Sequence, residues 1–292
     1  MNISSKVVNF LKVTVLVSSL LYFGYFIFKN FEQFKNFSDF NLQTIAILMS
    51  LKFINIYLLS NLNIFILKNI GINLKNTESI KLTVRNTLGN LSSPLKLGSG
   101  YKLSYLKEKY DIKINEYLFI TTFYSIFNLI PIFLIFLIYS FLGNQKTILN
   151  NLIIMFLIFF GLVFTTFSIQ KLPYFKKINT GISKKLISKN NLIIQFNNIL
   201  FFLSSSIIVY LIIINLSNID SFYSSISYNF LGSFVNIINL TPGNIGIKEG
   251  LIISFNNIHN IGFDLVIITS FIERFLSLIA LFVTQIILRN NY

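Results

Sequence analysis

Apolar residues in this chain come in long unbroken runs, without the amphipathic spacing that marks water-soluble helices or half-buried strands. A helix rises about 1.5 Å per residue, so about 20 apolar residues cross the hydrocarbon core of a bilayer. Residues 7–28, 44–67, 117–142, 152–169, 192–216 and 264–288 reach or approach that length. The pattern predicts an all-α polytopic membrane protein, with residues 1–292 forming a single transmembrane domain. The first run has Lys6 ahead of it and no small-residue cleavage site behind it, which reads as a retained span and not a signal peptide.

Two stretches break the pattern. Residues 79–106 and 222–255 are moderately apolar but carry Pro94 and Gly98, and Pro242, Gly243 and Gly246, near their middles. Lipid cannot hydrogen-bond an exposed backbone, so irregular chain at membrane depth must be buried in protein or line a watery cavity. Each stretch is expected to form two half-helices in a re-entrant hairpin. The plainer alternatives are a basic cytoplasmic loop for the first and a complete seventh span for the second.

Charge then gives direction. The chain carries 24 Lys and Arg against 10 Asp and Glu, a net charge of +14. Nine of the cations lie in residues 68–113 and six in residues 171–189. Basic loops stay on the cytoplasmic side, so both regions and both termini are expected inside. This accounts for the charge without nucleic acid. On that orientation, residues 44–142 and 192–288 hold the same order of elements with opposite polarity, an inverted-topology repeat of the kind secondary transporters use. Residues 7–28 become a peripheral span and 152–169 a linking one. The full expectation is six spans plus two hairpins. The two units share a faint pattern: Asn86-x-Leu88-Gly89 before Pro94 and Gly98, and Asn229-x-Leu231-Gly232 before Pro242 and Gly246.

With no cysteine and a single histidine, His259, the chain has no basis for a thiolate or imidazole metal site, and neither metal nor cofactor is expected. The candidate chemistry is ionic. In the second hairpin, Pro242 breaks the incoming half-helix and Gly243 and Gly246 permit the turn. A half-helix starting near Gly246 would aim free N–H groups at an anion, with Lys248 adding a full charge and needing a partner, either Glu249 beside it or an anionic ligand. A solvated surface pair is the bland alternative. The first hairpin offers Arg85, Pro94, Lys96, Gly98 and Lys102 for the same chemistry, or for contact with lipid headgroups. Lys52, Glu273 and Arg274 lie within spans, where ions face the bundle interior and pair. Adjacent helical residues point about 100° apart, so only one of Glu273 and Arg274 is expected to meet Lys52 or a ligand. A structural salt bridge between the repeats is the alternative.

The segment Pro242–Gly250, PGNIGIKEG, resembles the Pro-Gly-Gly-x-Gly-x-Arg-Glu signature of the lysylphosphatidylglycerol synthase transmembrane-region family, a flippase-like group. Pro94-x-Lys96-x-Gly98-Ser99-x-x-Lys102 resembles that family's other motif, Pro-Gly-Arg-x-Gly-acid-x-x-Arg. Asn244 stands in place of a glycine, Ser99 in place of an acid, and Lys96, Lys102 and Lys248 in place of arginines. Lysine meets phosphate as a point charge and cannot supply arginine's two-pronged contact. The resemblance implies a stand-alone member in the cytoplasmic membrane, without an aminoacyl-transferase domain. It also implies partners among anionic membrane lipids, polyprenyl-phosphate-linked carriers and envelope or surface-polysaccharide enzymes. Two other readings stand beside a transporter: a lipid-carrier transferase using Glu249 or Glu273, and a non-catalytic scaffold.

Overall fold

The computed structural model describes residues 28, 40–92, 97–142, 188–217, 222–238, 242–255 and 261–289. The expected spans 7–28 (Phe28 apart) and 152–169, together with Pro94 and Lys96, lie outside the described residues. The described chain is helical: α1 (Leu42–Lys68), α2 (Asn76–Ser92), α3 (Leu97–Tyr110), α4 (Ile114–Phe127), α5 (Leu129–Leu142), α6 (Lys189–Ser217), α7 (Phe222–Ile238), α8 (Ile247–Ser254) and α9 (Phe263–Arg289), with a 3-10 turn at Pro242–Asn244.

Among the described residues, four helical stretches are long and apolar enough to cross a membrane: 42–68, 114–140, 189–217 and 263–288. They match four of the expected spans. Their outer faces leave large apolar side chains bare, including Leu192, Phe196, Ile138 and Ile286, each more than 60% exposed. In water such faces would drive aggregation; in a bilayer they meet lipid tails. α1 opens at Asn41, whose side chain accepts from the Thr44 N–H at 2.7 Å. This replaces one of the hydrogen bonds a helix start lacks.

The 114–140 stretch is interrupted between α4 and α5, three residues ahead of Pro131. Proline removes an N–H and strains the preceding turn. The break is repaired from α6. Asn198 Nδ2 donates to the Asn128 carbonyl at 2.7 Å, and Gln195 Nε2 donates to Asn128 Oδ1 at 3.2 Å. Neighbouring side chains supply what lipid cannot.

Both Pro/Gly-broken stretches fold as packed helix pairs, α2 with α3 and α7 with α8. The first pair is close-set. A Cβ added to Gly89 would lie 2.7 Å from Gly98 Cα, and one added to Gly98 would strike the Asn86 carbonyl oxygen. Asn90 Oδ1 accepts from the Ser99 N–H at 3.2 Å across the same seam. In the second pair the chain turns through three left-handed residues, Gly243 (φ 56°), Asn244 (φ 58°) and Gly246 (φ 82°). A continuous seventh helix is therefore not what the chain forms. Its polar residues point inward: Ser224, Ser225, Ser227 and Asn229 are all buried.

The packing is reciprocal. α1 and α6 precede the two broken pairs and pack on each other, with Asn55 Nδ2 donating to Ser205 Oγ at 3.1 Å. α1 packs on α2 as α6 packs on α7, and α3 packs on α4 as α8 packs on α9. The elements that follow each pair cross over. α9 covers α2 and α1, while α5 covers α7 and α6. Phe136 of α5 stacks on Phe230 of α7 with ring centroids 4.2 Å apart.

Outside the spans, α2 and α3 are clamped by Glu78. Its Oε1 accepts from Tyr105 Oη at 2.9 Å, Tyr110 Oη at 2.9 Å and Lys109 Nζ at 3.0 Å. Burial pushes the Glu78 carboxyl up, but the three donors outweigh it and hold the group below its usual value of 4.5. A depressed carboxyl stabilises the fold above its unfolded-state pKa, and the contribution is lost as pH falls through the folded one. Wild type is thus expected to melt higher than Glu78→Gln at pH 7, with the gap closing as pH drops below 4.5. Thermal unfolding in detergent, followed by circular dichroism, measures both; a gap that does not vary with pH would remove Glu78 as the cause.

Candidate functional site

α9 carries Glu273 and Arg274 near its midpoint, and α8 delivers Lys248 and Glu249 beside them. Glu273 is the hub. Its Oε2 accepts from Lys248 Nζ at 2.6 Å, and its Oε1 lies 3.8 Å from Lys52 Nζ on α1. Arg274 turns the other way. Its Nε donates to the Gly243 carbonyl at 3.1 Å, and its Nη2 lies 2.7 Å from Glu249 Oε1. That second contact is an ion pair without hydrogen-bond alignment. Ser270, one turn earlier on α9, donates its hydroxyl to the same Glu249 oxygen. All five charged side chains are at most 17% exposed.

The expectation for adjacent residues holds: Glu273 meets Lys52 and Arg274 does not. Lys248 does not pair with Glu249, one of the two partners expected for it. Its partner is Glu273, 25 positions away. Lys248 and Glu249 are consecutive on α8, so their side chains diverge. Glu249 Oε2 instead accepts from the Gly246 N–H at 2.8 Å. The start of α8 is therefore partly occupied by the chain's own carboxylate, where free N–H groups were expected.

Glycine makes room for this arrangement. A Cβ on Gly232 of α7 would come within 3.0 Å of Lys248 Cε, so the lysine stem lies directly over the glycine. Its ammonium sits 4.7 Å from the centroid of the buried Tyr228 ring, within cation–π range. A Cβ on Gly243 would come within 3.2 Å of Leu91 Cδ2, so the turn before α8 rests on the end of α2.

Other expected residues lie apart. Lys102 is buried, donates to Asn63 Oδ1 and faces the Tyr117 ring at 6.0 Å. Arg85 is exposed, and its Nη1 donates to Tyr101 Oη at 2.6 Å. Neither shares a partner with the Glu273 network in these contacts. Gly98 packs in the α2–α3 seam, against Asn86 and Asn90. Ser270 and Tyr228 were not singled out from sequence. Ser270 was within reach of it, because it stands three and four residues ahead of Glu273 and Arg274 and so shares their face. Tyr228 gave no such sign among 14 tyrosines.

Buried ions left without a partner cost more than the pair contributes, typically about 3–5 kcal/mol. Glu273→Gln leaves Lys52 and Lys248 facing a neutral amide. Its detergent thermal midpoint is expected to fall well below wild type, by the equivalent of about 3 kcal/mol. Glu273→Gln combined with Lys248→Met should recover part of the loss. An unchanged midpoint in the single variant would remove Glu273 as the hub.

The comparisons with known proteins bear on the whole helical array. No curated protein and no solved structure matches the chain. A family model does, over residues 9–284, and its description is the lysylphosphatidylglycerol synthase TM region. That match reaches every helix above and covers nearly the entire sequence, so the chain belongs to the lysylphosphatidylglycerol synthase transmembrane-region family.

Proposed function

We propose that the protein is a flippase-like transporter that binds an anionic lipid or a polyprenyl-phosphate-linked carrier and moves its headgroup across the membrane. One observation carries the reading. The buried network joins three cations, Lys52, Lys248 and Arg274, to two carboxylates, Glu249 and Glu273, and so holds one positive charge in excess. Buried ions persist when compensated, and a phosphate is the natural complement. An arriving phosphate competes with Glu273 for Lys248, and Glu273 then falls back on Lys52. The Nη2 of Arg274, close to Glu249 but not aligned with it, offers a second donor.

The architecture supports this reading. The crossed packing of α9 on α2 and α5 on α7 is what two units of opposite polarity, related by an in-plane two-fold, would produce. On this reading residues 79–106 and 222–255 are re-entrant hairpins, the termini are cytoplasmic, and one unit rocks against the other. Transfer chemistry is the weaker reading, because Glu249 and Glu273 are both held in ion pairs and neither is poised as a base. A role beside envelope or surface-polysaccharide enzymes follows from the carrier class.

Two measurements test it. In proteoliposomes loaded with a fluorescent anionic lipid, Lys248→Gln should lose at least tenfold in flipping rate while inserting normally; an undiminished rate would refute the assignment. For topology, a cysteine placed at Lys107 should react with an impermeant maleimide only from the cytoplasmic side, and one at Asp264 only from outside. Labelling of both from one side would sink the inverted repeat.

A further inference from the structure

A second cationic feature lies outside the Glu273 network and shares no residue with it. α2 and α3 face each other across a cleft of about 250 Å³. Glu78, Lys81 and Arg85 line it from α2 at a spacing of three and four residues, which places them on one face. Tyr101, Tyr105 and Lys109 line it from α3 at a spacing of four, again one face. Lys75, just ahead of α2, lines it as well.

The cleft is strongly positive. Four cations, Lys75, Lys81, Arg85 and Lys109, stand against the single carboxylate of Glu78. That carboxylate is engaged by Tyr105, Tyr110 and Lys109, and Lys109 is its ion-pair partner. Arg85 is held in place. Its Nη1 donates to Tyr101 Oη at 2.6 Å, and its guanidinium carbon lies 5.8 Å from the centroid of that ring. A guanidinium has five N–H donors, so most of its fork stays available to a planar or tetrahedral oxyanion. A fixed arginine flanked by lysines in a concave site is the recognition chemistry of phosphate esters.

We propose that this α2–α3 cleft is a binding site for a phosphate-bearing group, separate from the transport network. The group is a phosphomonoester or phosphodiester. It arrives either as the headgroup of a membrane lipid or on a soluble compound. Arg85 provides the directed hydrogen bonds, Lys75 and Lys81 provide field, and the Glu78–Lys109 pair fixes the far wall. The site does not rest on the transporter reading and survives its failure.

Calorimetry on the full chain in a zwitterionic detergent tests this with two probes, inorganic phosphate and dihexanoyl phosphatidylglycerol. Wild type is expected to bind at least one. Arg85→Ala with Lys75→Ala should weaken that binding tenfold or more, and Arg85→Lys alone should weaken it less. Both altered side chains are exposed, so the thermal midpoint should stay put; should the double variant misfold, Arg85→Lys carries the test by itself. Lys107→Ala, an exposed charge on α3 outside the cleft, should bind as wild type does. Loss of both probes together supports recognition of the phosphate itself. Loss of the lipid probe alone, with phosphate never bound, supports a membrane headgroup as the source. The proposal is overturned if neither probe binds wild type, if the Arg85 variants bind as wild type, or if Lys107→Ala weakens binding as much as they do.

Discussion

The fold turns on a carboxylate placed where lipid surrounds the protein. Glu273 sits midway along α9, between Lys52 of α1 and Lys248 of α8. A bilayer offers such a group nothing, so its hydrogen bonds and countercharge must come from the chain. That demand brings α1, α8 and α9 to one place. It also requires the turn at Pro242–Asn244 to deliver Lys248, and Gly232 to lie under the lysine stem. The same rule recurs in smaller form. Asn198 mends the break at Asn128, and Asn69, Tyr124 and Asn191 form a buried polar knot joining the end of α1 to α4 and the start of α6.

Much of the frame is legible in the sequence because lipid imposes so blunt a rule. A run of about 20 apolar residues has few uses other than crossing a bilayer, and four of those runs appear as helices within a few residues of their expected ends. The two broken stretches are also legible, since proline and glycine constrain backbone directly. Polar hydroxyls on α7 announce burial for the same reason. The pairing of charges was less accessible. Sequence neighbours suggested Lys248 with Glu249, whereas helical geometry sends them apart and lets Glu273 take the lysine. Neither that choice nor the placement of Tyr228 against Lys248 has a local signature, because both depend on how α7, α8 and α9 are brought together.

The basic residues of residues 68–113 illustrate a second limit. They read alike in sequence, as charges that hold a loop inside. In the fold they divide. Lys102 is buried on Asn63, Lys109 is bound up with Glu78, and Arg85 lines a cleft where Tyr101 holds it. Orientation needs only their sum, while binding needs their individual surroundings, and the latter depend on which face of α2 meets α3.

The crossed packing has a consequence for how the protein is made. α2 is covered by α9, and α9 is the last described helix to be synthesised. Until the ribosome reaches it, α2 lacks the cover that α9 gives it, and Lys52 lacks Glu273. The packing around α2 and the ion pair of Lys52 are completed only when α9 has been made, so the direction of translation, and not just the final packing, is part of how this fold is reached.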